Sequence, residues 1–354
     1  SIIAARLEAL GFDVTTQIGK TGVVGVLKGK SSRTIAFRAD MDALPLQEEN
    51  THDYVSEVSG CMHACGHDGH VAILLGFARW LSERPQPFDG NITLIFQPAE
   101  EGLGGAVPMI EAGVLESPKV DQIFGLHLWS GMPIGTIGAA AGAVMAATDE
   151  FLITVKGKGG HGAMPEQTAD AIVAAAQIVL SLQTVVARSI DPLQPAVVTV
   201  GTLNAGSAHN IIAETATLGG TARTFDPATR KTLPNLIESC ARAAAATVRT
   251  EIDFEWIEQY PPLINHPDAT TCAQDAITEL LGSENLVTTG QTMGGEDMAY
   301  FIEKVPGCFI FVGAGNQAKG IIHPHHNPAF DFDEDALPIG VALFAKIVEK
   351  FFNT

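Results

Sequence analysis

The chain has 354 residues, 46% hydrophobic and 17% charged, so it can bury a large core and is not a disordered segment. Its net charge of -19 argues against nucleic acid as a partner, because phosphates demand clustered Lys and Arg. No apolar run in the sequence approaches the roughly 20 residues that cross a bilayer, so no membrane partner is expected.

The length suggests about two domains. Ser1–Leu7 is already in helical rhythm, so the sequence is expected to begin inside a helix. No basic segment precedes an apolar core, and no signal peptide is read. Val23–Leu27 and Arg33–Phe37 read as strands, and an apolar helix follows from about Gly69 to Ser82. A buried strand, Ile92–Phe96, runs straight into Glu100 and Glu101, and another, Gln122–Leu126, leads into His127. Strands that end in polar residues and alternate with helices predict an α/β sheet with its site at the strand ends.

The middle of the chain changes character. Phe151–Val155 reads as a strand and 166–189 as a helix, with apolar residues at 172, 175, 176, 179, 182, 186 and 190 on one face. Strands near 196–203 and 214–224, a helix near 227–248 and the alternating strand Glu251–Ile257 complete a βαββαβ order, the ferredoxin-like split motif. Residues 148–260 therefore read as a domain inserted between two parts of a catalytic domain, 1–147 and 261–354, with Pro261-Pro262 marking the return. Helices near 269–281, 295–304 and 334–352 and a strand at Cys308–Val312 fill the last part.

The chemistry-bearing residues are concentrated. Six of the 11 histidines fall in two stretches, Cys61-Met62-His63-Ala64-Cys65-Gly66-His67-Asp68-Gly69-His70 and His323-Pro324-His325-His326. Imidazole, thiolate and carboxylate are the side chains that bind first-row divalent metals. Cys65 and His67, two apart, can point the same way on an extended or tightly turned backbone, whereas Cys61 reads as a buried small residue and His63 and His70 as helix-cap or surface residues. Glu100 and Glu101 face different directions at a strand end, so one can bind metal while the other takes a proton from activated water. His127 joins by the company it keeps. His323, His325 and His326 compete for one role, and spacing does not choose. Asp40 and Asp42 form a D-x-D that can hold a ligand histidine. Gly157-Lys158-Gly159-Gly160-His161-Gly162 satisfies a dinucleotide fingerprint, but Val200–Asn204 lacks the acid that reading requires. Five cysteines, odd in number and widely spread, suit a reducing compartment, with cytoplasm the expected address. A metal thiolate at Cys65 also suggests a reactive thiol in the metal-free protein.

Together Arg38-Ala39-Asp40-Met41-Asp42-Ala43-Leu44-Pro45, Met62–His70, Gln97-Pro98-Ala99-Glu100-Glu101-Gly102, Gly159–Pro165, Gly294-Gly295-Glu296-Asp297 and His326-Asn327-Pro328-Ala329-Phe330 resemble the aminoacylase/carboxypeptidase family of dinuclear metallohydrolases. The branch is that of hippurate hydrolase, indole-acetyl-amino-acid hydrolases and N-acetyl-diaminopimelate deacetylase. The resemblance implies an α/β catalytic domain with a mixed central sheet, interrupted by a ferredoxin-like α+β lid and dimerisation domain. It implies two divalent ions (Zn, Mn, Co or Ni) on Cys65, His67, Glu101, His127 and His326, with Cys65 between them and the register of Asn327-Pro328 favouring His326. Glu100 matches the general base, Asp42 the aspartate that supports the centre, and His161 a histidine that polarises the substrate carbonyl. Asn210 and Arg223 match positions that grip a substrate carboxylate. The implied substrate is an N-acyl amino acid, or alternatively a dipeptide or peptide C-terminus, and the implied assembly a homodimer through the inserted domain.

Overall fold

The computed structural model describes residues 1–84, 89–102, 104–288 and 290–353. Two compact units emerge, one formed by Ser1–Val144, Ile264–Gly290 and Asp297–Thr354 and the other by Met145–Leu263 with Gln291–Glu296.

The first unit is built on an eight-stranded mixed sheet. At its centre Asn91–Gln97, Thr34–Asp40, Gln122–Pro133 and Gly307–Gly315 lie side by side and parallel. Antiparallel strands Gly22–Leu27 and Asp13–Ile18 extend one side. The central strands are continuously buried, as strands covered on both faces must be. Helices His67–Ser82 and Ala336–Asn353 pack there, with Phe37 touching Phe77, Phe124 and Phe344 at ring-centroid separations of 4.9, 6.1 and 4.7 Å.

Two differences from the sequence reading bear on the site. The strand expected to end before His127 continues to Pro133, because Gly307–Gly315 pairs with it almost throughout. On its other side Thr34–Asp40 pairs only as far as Arg38 opposite Gly125, so that edge opens beside His127. The polar strand Asp13–Ile18 was not foreseen. It is an edge strand, largely exposed, with no apolar alternation to announce it.

The second unit has a four-stranded antiparallel sheet in the order Ala196–Ala205, Thr215–Thr224, Ala147–Lys156, Glu251–Ile257. That is the ferredoxin-like order. Helices Ala171–Thr184 and Pro227–Ala246 cover one face through Ala174, Ile178, Leu182, Ile237 and Ala241. The first helix starts at Ala171, later than expected. Asp170 caps it by accepting the Ile172 and Val173 N–H groups, while Pro165–Gln167 forms a separate 3₁₀ turn. With the π turn that follows, Ala171–Ser189 makes 19 helical residues containing an 18-residue stretch of mean hydropathy 1.6, long and apolar enough by composition to cross a membrane. The linear reading found no such run. In this unit its Ala171, Ala174, Ala175, Ile178 and Leu182 are core residues of the α+β domain.

Candidate metal centre

Thr34–Asp40 and Asn91–Gln97 are parallel, with Asp40 opposite Gln97, so both chains leave the sheet at the same carboxyl edge. This delivers Asp42 beside the paired glutamates. The Asp42 carboxylate accepts the Glu100 N–H on Oδ1 and the Glu101 N–H on Oδ2, each at 3.0 Å. The glutamate loop is tight: a Cβ at Gly105 would stand 1.7 Å from the Pro98 carbonyl oxygen. Ala99 has φ 58° and His326 φ 65°, conformations that cost a non-glycine residue about 1–3 kcal/mol each. Two of the five left-handed non-glycine residues among those described thus lie in loops that carry candidate ligands.

Gly66, at φ 85°, turns the chain between Cys65 and His67, and the helix begins at His67. The C-x-H pair is therefore brought together by a turn rather than by an extended segment. His67 Nδ1 lies 3.0 Å from the Asp42 carbonyl oxygen and donates to it. Its Nε2 is buried and without a hydrogen-bond partner among the described residues. His127 Nδ1 likewise donates to the Leu128 carbonyl at 2.8 Å, leaving Nε2 facing Cys65 Sγ at 3.5 Å. His326 Nε2 reaches Glu101 Oε1 at 3.0 Å.

Two donor sets result. Ligand atoms of Cys65, His67 and His127 lie within 4.8 Å of one another, and so do those of Cys65, Glu101 and His326. Cys65 belongs to both. Glu100, buried, forms a further group of this size with His67 and Glu101. An orphaned buried imidazole nitrogen amid thiol, imidazole and carboxylate fits a borderline-soft divalent ion.

The electrostatics favour a cation. Burial works against a charged His67, yet Asp40, Asp42 and Glu101 together raise it to about 9. His127 is held well below the usual histidine range by burial, reinforced by His70 and His325, so it is the neutral form that metals bind. Burial and the charges of Glu101, Glu100 and Asp40 push the Cys65 thiol well up. A protonated sulfur is a poor nucleophile, so this environment works against the reactive thiol expected in the metal-free protein.

Under this centre lies a buried frame that the sequence did not reveal. Arg38 is fully buried and donates to Asp40 Oδ2 at 2.7 Å, Asp297 Oδ1 at 2.8 Å and Gln97 Oε1 at 2.8 Å. Asp297 also accepts from Gln97 Nε2 and from the Ala106 N–H. Burial raises Asp297 to about 6 against the Arg38 charge. Arg38→Met is expected to lower the stability of the metal-free protein by about 3–5 kcal/mol, because two buried carboxylates lose their counter-charge. Urea unfolding measures this, and an unchanged midpoint would show that the frame adds no net stability.

His70, expected at the surface or as a cap, is fully buried instead. Its Nδ1 stands 2.6 Å from Asp40 Oδ1, and its Nε2 accepts the Leu128 N–H at 2.9 Å. Cys61 and His63 line a cavity of about 410 Å³ with Glu48, His52, Tyr54 and Asp68. His323 is exposed.

The remaining candidates lie in the second unit. His161 is exposed on the short strand Gly160–His161, which pairs with Ile211–Ile212, and the Gly162 N–H donates to the Asn210 carbonyl at 2.8 Å. The fold thus joins His161 and Asn210, 49 positions apart in sequence (210 − 161). The Ala163 N–H donates to His161 Nδ1 at 3.0 Å, which puts the ring hydrogen on Nε2. Arg223 sits on the interior strand Thr215–Thr224, opposite Val197 and Thr148, and burial lowers its pKa.

Residues 36–350 match peptidase family M20/M25/M40. The chain belongs to that family. Two relatives are thermostable carboxypeptidase 2 of Saccharolobus solfataricus, 40% identical over 99% of this chain and 90% of the relative, and N-acetylcysteine deacetylase of Bacillus subtilis, 40% identical over 95% and 86%. Among solved structures, a Bacillus subtilis protein described as a dinuclear metal binding peptidase from the M20 family superposes with a TM-score of 0.87. It is 35% identical, with 100% of this chain and 91% of that one covered. An M20 chain of this kind is a hydrolase, and its mixed sheet is that of the family.

Proposed function

We propose that the protein hydrolyses the amide bond of N-acyl amino acids, releasing a carboxylic acid and a free amino acid. The observation that carries this reading is one thiol shared by two three-residue donor sets, with a buried carboxylate alongside. Cys65, His67 and His127 would hold one divalent ion and Cys65, Glu101 and His326 the other, drawn from Zn, Mn, Co or Ni. Bound there, the ions would polarise the amide carbonyl and lower the pKa of water towards neutrality. Glu100 takes the proton from the attacking water and returns it to the leaving nitrogen. Asp42 holds both glutamate amides and the His67 ring in place.

In the inserted domain, which we assign to 148–260 as lid and dimerisation unit, His161 donates through Nε2 to the substrate carbonyl oxygen. Asn210 and Arg223 hold the substrate carboxylate. His161→Ala is expected to keep both ions and its melting behaviour while losing about 10²–10³-fold in rate, mostly in kcat. A near-parental rate would make the loop a packing element.

A homodimer through this domain is supported by its exposed edge strand Ala196–Ala205 and by Ile172, Val173, Leu180 and Leu203, all exposed apolar residues of the same unit. All five cysteines are free, which supports a cytoplasmic address.

The test is turnover of N-acetyl and N-benzoyl amino acids against dipeptides, after reconstitution with each metal. The carboxypeptidase named among the relatives favours a second reading, a metallo-dipeptidase or carboxypeptidase with the same chemistry. Faster turnover of dipeptides than of every N-acyl amino acid would select it.

A further inference from the structure

We infer that His325 is a positioning residue that fixes the ring of His127 through the Leu128 peptide group. The inference rests on the reading above that His127 Nε2 is a metal ligand. Leu128 is the residue after His127, and its peptide groups meet three imidazoles. The Leu128 N–H donates to His70 Nε2 at 2.9 Å. The Leu128 carbonyl oxygen accepts from His127 Nδ1 at 2.8 Å and from His325 Nε2 at 2.9 Å. A carbonyl oxygen has two lone pairs, and two ring N–H groups fill them.

Each ring is thereby confined to one tautomer. His70 accepts on Nε2, so its hydrogen is on Nδ1, directed at Asp40 Oδ1. His127 carries its hydrogen on Nδ1 and keeps the Nε2 lone pair turned to Cys65. His325 carries its hydrogen on Nε2, the nitrogen given to the carbonyl. Aromatic walls hold the ring there: Trp129 at 4.8 Å, Phe330 at 5.0 Å and His127 itself, edge-on, at 5.1 Å.

The left-handed backbone at His326 lets adjacent histidines serve different partners, since His326 goes to Glu101 while His325 goes to the Leu128 carbonyl. Without His325, the carbonyl keeps only the His127 N–H, and the Leu128 N–H bond to His70 is left to hold that peptide against the rotation that would turn Nε2 from the thiol. The Leu128 carbonyl is one hydrogen bond removed from the ligand, a partner whose disturbance typically changes metal affinity about 10–100-fold, and His325 acts by fixing that carbonyl.

The experiment compares His325→Phe, which keeps a ring but no donor, with His325→Gln, whose amide N–H can replace the imidazole one. Zinc affinity is measured by chelator competition, and the visible spectrum of the cobalt-loaded protein reports on ligand geometry. His325→Phe is expected to weaken one of two zinc sites by about 10–100-fold and to alter the cobalt spectrum, with His325→Gln restoring both. Parental affinity in His325→Phe would overturn the proposal. Equal loss of one ion in both variants would also overturn it, making His325 a ligand. Long-range proton–nitrogen NMR of the unmutated metal-free protein gives a test free of any folding defect: His325 must be the Nε2–H tautomer, and an Nδ1–H tautomer refutes the proposal. A parent protein that binds fewer than two zinc ions would instead refute the dinuclear reading itself, which separates the two failures.

Discussion

Glu100→Gln is expected to retain two metal ions and to turn over about 10²–10⁴-fold more slowly than the parent, whereas Glu101→Gln is expected to lose metal. The two side chains are adjacent, and the amides of both are pinned to the Asp42 carboxylate, so their difference comes from where each side chain goes. Glu101 Oε1 lies 3.0 Å from His326 Nε2 and 3.9 Å from His67 Nε2, within the donor set that also holds Cys65. Glu100 is buried beside that set but shares no group with His326. A glutamine at 100 keeps the shape and removes the basicity. Elemental analysis and steady-state rates on both variants give the answer. Metal loss in Glu100→Gln with full metal in Glu101→Gln would mean that their roles are exchanged.

The ligand candidates were legible because their side chains are scarce types clustered at short spacing, and because the strands before Glu100 and His127 are plainly apolar. The ferredoxin-like order of the inserted domain was legible for a related reason, since its helices and strands each carry a clear period. What could not be read is whatever depends on partners distant in sequence. His70 sits three residues after His67, on the same face of a helix, but its partners Asp40 and Leu128 are 30 and 58 positions away. Arg38 meets Asp297 across 259 positions. A signal was present in both cases. An arginine inside a buried strand, two residues from an aspartate on the same face, must find counter-charges, and a histidine on an apolar helix must find hydrogen-bond partners. Spacing does not choose among His323, His325 and His326; the Asn327-Pro328 register favoured His326, and the left-handed backbone there adds how its ring and that of His325 reach different partners.

Cys65→Ala is expected to have the largest effect of any single substitution: metal content falling from two ions towards none after dialysis, and hydrolysis below detection. Replacing any other candidate ligand leaves one complete set that still holds the thiol. His127 serves one group and His326 one, so losing either leaves a second set with its thiol, while the Cys65 sulfur is common to both. His67 and Glu101 each enter more than one group, but replacing His67 leaves Cys65, Glu101 and His326 intact, and replacing Glu101 leaves Cys65, His67 and His127. The thiol is held protonated by burial and by Glu101, Glu100 and Asp40 in the metal-free state, so the native protein must give up that proton when it takes metal. The expected cost of the substitution is therefore confined to the loaded protein. Metal-free Cys65→Ala should unfold at nearly the same urea concentration as the metal-free parent, since a partly buried small side chain is exchanged for a slightly smaller one. Equal stability without metal, together with a large loss of stability in the presence of zinc relative to the parent, would mark the sulfur as a metal ligand. Full occupancy of both sites in Cys65→Ala with normal turnover would remove the thiol from the centre, and with it the case that two ions share a ligand.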